Sequence, residues 1–273
     1  STLMRSSAAS DVYKRQPLNT VIGCAVAITV FASSAGVISQ GVSAVKATSD
    51  FMLALIPVLA GIITAAGNPT LALTYGSFAM AAAQAAAQTA GNVIMPLCGA
   101  FSAFGVSASL SPELKLTKLA EMIKKLAIGV LSFAAAAFSA VLGLKSLLAG
   151  SADTLTSKGI KLALSSAVPI VGGALSDAYS SIIGSVALLK STVGVFGVIA
   201  VVLMDLPVIL QLTARILLLK LLGVLSSSMG DDASGEVLET LSSALTVINA
   251  AIIFTAALFI ISTGIVISVK AGA

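Results

Sequence analysis

The stretch Lys158–Lys190, KGIKLALSSAVPIVGGALSDAYSSIIGSVALLK, decides the class of this chain. It is apolar enough for a bilayer, yet it is broken at its centre. Pro169 cannot donate a helix hydrogen bond, and the pair Gly172-Gly173 loosens the backbone behind it. Ser176 and Asp177 read as the cap of a second helix that runs to Lys190. Two half-length apolar pieces meeting at a Pro/Gly break predict a re-entrant or discontinuous membrane element, in which backbone groups face a cavity instead of lipid. A Pro-kinked helix with no functional role is the plainer reading of the same residues.

The rest of the chain is of the same kind. It has 273 residues, 58% hydrophobic and only 10% charged, with a mean hydropathy of +1.08. A soluble domain carries about 25% charged residues; here there are too few polar side chains to coat a soluble core. The fold class is therefore all-α, a polytopic transmembrane helical bundle with Pro/Gly-broken helices. Abundant Ala, Gly and Ser favour close helix–helix approach. The net charge of +4 reads as loop asymmetry, not as a nucleic-acid footprint.

Several chemistries are excluded. Histidine is absent, and the two cysteines, Cys24 and Cys98, lie inside apolar segments. Sequence leaves a disulfide between them open, and isolated buried thiols are the favoured reading. A zinc site takes about four ligands, mostly nitrogen and sulfur, and none can be assembled. There is no G-x-x-x-x-G-K-[ST] phosphate loop, and no histidine-based triad is possible. No enzyme activity, cofactor or metal is expected.

Residues 1–16 (STLMRSSAASDVYKRQ) differ in character from the remainder of the chain. They are polar and lack the apolar core of a signal peptide. Ser6–Gln16 resembles translated sequencing-adaptor sequence, so 1–16 is expected to be a non-native leader and 17–273 a single multi-pass membrane domain. Pro17–Val45 carries no charge and is long enough to span, with Lys46 and Asp50 closing it. Between Asp50 and Glu113 there is again no charge. Turn signals at Gly67-Asn68-Pro69 and near Gly91-Asn92 divide this region into Phe51–Ala66, Thr70–Ala90 and Gly91–Leu110. The first of these holds Pro57 and Gly61. In the second, Gln84 and Gln88 share one face and suit an interior helix.

Ser111–Lys125, SPELKLTKLAEMIKK, reads as an amphipathic helix at a membrane surface, capped by Ser111 with Pro112 in its first turn. Lys115, Lys118, Lys124 and Lys125 make it a candidate cytoplasmic surface by the positive-inside tendency. A span, Leu126–Leu144, comes next, then a polar loop, Lys145–Lys161. After the broken element, Ser191–Leu222 is a long helix holding Asp205 two residues before Pro207. A lone charge at bilayer depth costs about 2.5–3.5 kcal/mol on insertion scales, so it is paired or faces water. Asp205 thus reads as part of a cavity or cation pathway, as one side of an interhelical salt bridge, or as an acid nearer the membrane interface. Ser226–Glu239 reads as an acidic loop and Leu245–Val269 as the final span.

Two segments align at fixed offsets. Pro57-Val-Leu-Ala-Gly61 matches Pro169-Ile-Val-Gly-Gly173, and Phe133, Phe138 and Gly143 match Phe254, Phe259 and Gly264. These matches imply repeats over 51–149 and 160–270. Their surface stretches have opposite charge bias, basic in Lys115–Lys125 and acidic in Asp231–Glu239, as inverted repeats would have.

FMLALIPVLAG (Phe51–Gly61), KLTKLAEMIKKLAIGVL (Lys115–Leu131) and PIVGGALSDAYSSIIGSVALLKSTVG (Pro169–Gly194) resemble the stage III sporulation protein AE family. The resemblance covers the chain from about Val21 to the C-terminus. It implies a multi-pass protein of endospore-forming bacteria, in the mother-cell membrane that surrounds the forespore. The implied partners are membrane lipid, the other proteins of the stage III sporulation A operon (ring-forming subunits and a secretion-type ATPase), and the forespore stage II sporulation protein Q. The implied role is that of a channel or feeding tube sustaining the engulfed forespore. No catalytic residue carries over; Pro169, Gly172, Gly173 and Asp177 match the family's characteristic string. Family members begin with a signal peptide and an extracytoplasmic region, neither of which is present, so the chain is expected to be a truncated piece.

Three functions are compatible with these readings. The first is a membrane subunit of the sporulation channel, which the resemblance favours. The second is an independent small-solute transporter with inverted repeats, its pathway marked by Pro57, Gly61, Pro169, Gly172, Gly173, Asp177 and Asp205. The third is a scaffold recruiting partners through Lys115–Lys125.

Overall fold

The structure is a computed structural model and describes residues 2–110, 116, 118–138 and 172–268. Among them every regular element is a helix: α1 (Thr2–Ala65), α2 (Pro69–Gln88), a π-helical turn (Thr89–Ile94), α3 (Met95–Leu110), α4 (118–138), α5 (Gly172–Ser228) and α6 (Asp232–Ser268). Among the described residues four stretches are long and apolar enough to cross a membrane: Ile28–Ala65, Ala72–Ser109, Ser191–Ser228 and Asp232–Gly264. The chain is thus a helical protein with four candidate spans among its described residues.

Two glycines end helices. Gly67 has φ +85° and Gly230 has φ +86°, a region closed to most L side chains. At the first, Gly67 N–H donates to the Thr64 carbonyl (3.0 Å) and Asn68 N–H to the Ile63 carbonyl (3.2 Å). At the second, Gly230 N–H donates to Ser227 (3.0 Å) and Asp231 N–H to Ser226 (3.1 Å). Both patterns are Schellman caps, which satisfy carbonyls that the ending helix leaves free. Pro69 then opens α2 at a position where no N–H is needed. Asp231 opens α6, its Oδ1 accepting from Ser234 N–H at 3.2 Å.

Several expected boundaries are not there. The helix α1 runs unbroken through Lys46, Asp50 and Pro57, so neither a closed first span nor a break at Pro57 occurs. Near Gly91-Asn92 the chain does not turn; the π-helical residues Thr89–Ile94 carry α2 into α3. A wider i→i+5 turn absorbs an extra residue without reversing direction. The amphipathic stretch and the following span join in one helix, α4, across Leu126. No boundary separates Lys190 from Ser191 within α5. The expected acidic loop Ser226–Glu239 shrinks to Met229, Gly230 and Asp231. Asp232 instead lies in the first turn of α6, where a negative charge suits the helix dipole. Pro169, Lys115, Ser111, Pro112, Gly143 and the loop Lys145–Lys161 lie outside the described residues.

The chain forms two compact units. The first takes the described residues of Ser1–Ser43, Ala90–Leu131 and Pro207–Ile252. Its core runs along α6, where Val237, Leu241, Ala244, Leu245, Ile248 and Ile252 are all buried. A Cβ on Gly41 would strike Ile248, and a Cβ on Gly105 would strike Thr240, so α1 and α3 both approach α6 closely. The second unit takes the described residues of Ala44–Thr89, Ser132–Leu206 and Ile253–Ala273. Its core joins Met52, Ile56, Leu59 and Ile63 of α1 to Ala72, Tyr75, Ala79 and Ala83 of α2, with Val201 of α5 and Ala256, Phe259 and Val266 of α6. These spacings of three and four are the buried stripe of an α-helix. Gln84 and Gln88, expected inside, are not buried. Phe259 lies against Phe51 (ring centroids 5.9 Å apart), and Phe138 stacks on Phe78 (5.2 Å).

The burial of the spans differs. In the most apolar window of the α6 span 56% of residues are buried, against 22% for the α5 span. So α6 is the most enclosed span, while α5 presents Leu203, Leu206, Leu210, Leu217, Leu218 and Leu221 outward.

Close approach at small residues generates a first test. A Cβ on Gly105 would meet Thr240 Cγ2, with Thr240 Oγ1 at 3.0 Å and Cβ at 3.3 Å, whereas nothing lies within 4 Å of one on Gly99. Gly105→Ala is expected to lower unfolding free energy by about 1–3 kcal/mol through overpacking. Gly99→Ala on the same helix is expected to be neutral or mildly stabilising. Unfolding titrations in mixed micelles check the difference; equal effects would contradict this packing.

Candidate functional site

Asp205 is the buried acid of the second unit. Within α5 it sits in an otherwise uncharged run between Lys190 and Arg215. The adjacent Leu203, Met204 and Leu206 are exposed, while Asp205 itself is 2% exposed. Its Oδ1 accepts a hydrogen bond from Thr48 Oγ1 of α1 at 2.7 Å. Its Oδ2 is buried and has no partner among the described residues. Thr48 is buried as well. One turn beyond Thr48 comes Met52, and one turn before Asp205 comes Val201, both in the apolar core. The pair therefore closes one end of that core. Farther along, a Cβ on Gly197 would lie 2.5 Å from Leu55 and 3.2 Å from Phe259. The Thr48–Asp205 and Leu55–Gly197 contacts together run α1 and α5 antiparallel in this unit. Ser49, also buried, turns its hydroxyl back to the Val45 carbonyl (2.8 Å).

A second polar locus lies in the same unit. The Tyr75 hydroxyl faces Ser262 and Thr263, all three residues being buried. The Ser262 and Thr263 hydroxyls complete no hydrogen bond of good geometry. Cys98, in the first unit, is a buried free thiol, its Sγ donating to the Ala244 carbonyl at 3.9 Å.

The first unit carries interhelical polar contacts. Gln40 Nε2 donates to Gln211 Oε1 (3.2 Å), Arg215 Nη1 to Ser33 Oγ (3.3 Å), and Asn249 Nδ2 to Thr213 Oγ1 (3.1 Å). Between α3, α4 and α6 there is an open cleft of about 220 Å³, with Glu121, Lys124, Glu236 and Glu239 at its walls. Lys124 Nζ donates to Ser243 Oγ at 3.0 Å and stands 5.8 Å from the Phe101 ring centroid, a cation–π distance. Among the described residues no group of three His, Cys, Asp or Glu side chains could hold a metal.

The profile of the family described as stage III sporulation protein AE (spore_III_AE) matches residues 11–270. The chain belongs to the stage III sporulation protein AE family. Among curated proteins, it is 23% identical over 231 residues to the stage III sporulation protein AE of Bacillus subtilis (strain 168). That alignment takes in 85% of this chain and 58% of the relative, so the chain spans less than two thirds of the relative's length. No solved structure matches the chain.

Measured against the residues singled out in the sequence, this family member brings few of them together. Pro57 and Gly61 are exposed on a continuous α1, and nothing lies within 4 Å of a Cβ on Gly61. Gly172 and Gly173 begin α5, and Asp177 lies in its second turn. Pro169 and Lys115 are outside the described residues. Lys118 and Lys125 are exposed, whereas Lys124 is half-buried against Phe101 and Ser243. Among the described candidates, Asp205 is fully buried against a polar partner on another helix, and Lys124 reaches Ser243 at the wall of the cleft. Its partner Thr48 was not legible: a threonine inside an apolar helix is common, and only the α1–α5 pairing marks it. The Tyr75, Ser262 and Thr263 group was missed for the same reason.

The Thr48–Asp205 contact is open to a mutant cycle. Thr48→Val is expected to cost about 1–3 kcal/mol, because it strips a buried carboxyl oxygen of its donor. Adding Asp205→Val is expected to recover most of that loss, since both polar partners are then gone. Unfolding titrations of the two single variants and the double variant measure the coupling. Additive losses would contradict the contact.

Proposed function

We propose that the chain is an integral membrane subunit of the channel complex linking mother cell and forespore during endospore development. The observation that carries this reading is the family match over residues 11–270, set on four helices able to cross a membrane. The subunit sits in the mother-cell membrane around the forespore. It works with the ring-forming and secretion-type ATPase proteins of its operon and with the forespore stage II sporulation protein Q. Its role is structural or conductive, not catalytic.

The test is deletion of the full-length family gene in a spore-forming host, scoring engulfment, late forespore transcription and spore yield. Arrest after engulfment with a collapsing forespore is expected, together with co-purification of the ring subunits and the ATPase with a tagged copy. Normal spore yield would sink the reading.

A further inference from the structure

Asp205 combines features that helix adhesion alone does not require. It is buried near the middle of an uncharged stretch of α5, one carboxyl oxygen is held by Thr48, and the other is buried without a partner among the described residues. A buried carboxylate lacking a counter-charge carries a penalty of several kcal/mol, so an intramembrane acid of this kind points to a cation that comes and goes.

The surroundings limit which cation. The described titratable side chains of this unit are Lys46, Asp50, Tyr75 and Asp205. Those of α2 and of the α6 segment packed here amount to Tyr75 alone, which faces Ser262 and Thr263. On α1, Lys46 and Asp50 are exposed. Each is two residues from Thr48, hence on roughly the opposite side of a helix with 3.6 residues per turn. No described cation pairs with the carboxyl. A metal ion collects about six oxygen ligands, whereas the described side chains here offer the two Asp205 oxygens and the Thr48 hydroxyl. A proton needs one oxygen.

We propose that the Thr48–Asp205 pair is a proton-binding site inside the membrane domain. Oδ2 of Asp205 takes up and releases the proton, and Thr48 holds Oδ1 in both states. Protonation makes the carboxyl neutral and compatible with the apolar core beside it. Release leaves a carboxylate that still keeps one donor. The inference goes beyond the sporulation reading and does not depend on it, because its test is made on the isolated protein.

That test is infrared difference spectroscopy of the 273-residue chain in lipid nanodiscs, stepped through pH. A carboxylic-acid C=O stretch is expected that bleaches as pH rises and is lost in Asp205→Asn. It should shift in Thr48→Val, where the carboxyl loses a hydrogen bond. Should Asp205→Asn fail to fold, the Thr48→Val shift carries the same information. A band missing at every pH where the helical circular dichroism persists overturns the proposal. So does a band that survives in Asp205→Asn or stays fixed in Thr48→Val. Bleaching at constant pH when sodium replaces choline would give the site to a metal cation and overturn the proton assignment.

Discussion

Lipid offers apolar side chains as good a home as a neighbouring helix does, so hydrophobicity alone cannot hold these helices together. What remains is close van der Waals fit and polar contact. The fit is made where a side chain is missing: Gly41 against Ile248, Gly105 against Thr240 and Gly235 against Ser227 in the first unit, Gly194 against Ile267 and Gly197 against Leu55 in the second. Most of these contacts have a partner on α6, which is why α6 is the most buried span. The polar contacts then fix the pairing. Gln40–Gln211 and Ser33–Arg215 set α1 against α5 in the first unit, and Thr48–Asp205 does so in the second. A slip of one residue would turn each of these side chains out of its partner's reach.

The membrane class was legible because composition is a bulk property. The turn at Gly67-Asn68-Pro69 was legible because it rests on local chemistry, a positive-φ glycine with a proline at the first position of the next helix. Pro57 misled because its missing N–H breaks one bond of a long ladder, and α1 continues through it. Gly91-Asn92 misled because a π-helical turn can house two residues that usually mark a reversal. The acids after Met229 read as a loop by charge alone, yet Asp231 caps the next helix and Asp232 favours its N-terminus. In each failure the ambiguous residue was compatible with helix, and the surrounding helix decided.

Asp205 was legible from sequence as an anomaly of charge in an uncharged run. Thr48 was not, because hydroxyls in membrane helices usually bond to their own backbone, as Thr29, Ser43, Ser49 and Thr64 do here. Thr48 differs only in the direction of its bond, across to α5. Anomalous composition can nominate a site, but the partner that gives it chemistry belongs to the pairing of helices 157 residues apart.

That asymmetry bears on what the pair does. If adhesion were its whole role, a hydroxyl with an amide or two amides would serve, as Thr213 and Asn249 or Gln40 and Gln211 serve elsewhere. Those neutral pairs hold helices together without placing a charge in an apolar interior. A carboxyl at the same task adds the penalty of its ionised state; its Oδ2, like Asn249 Oδ1, has no partner among the described residues. Its one property that neutral groups lack is the ability to change charge. The hydrogen bond that positions Asp205 engages one oxygen, and the other has no partner among the described residues, so geometry and chemistry agree on an acid held for proton exchange.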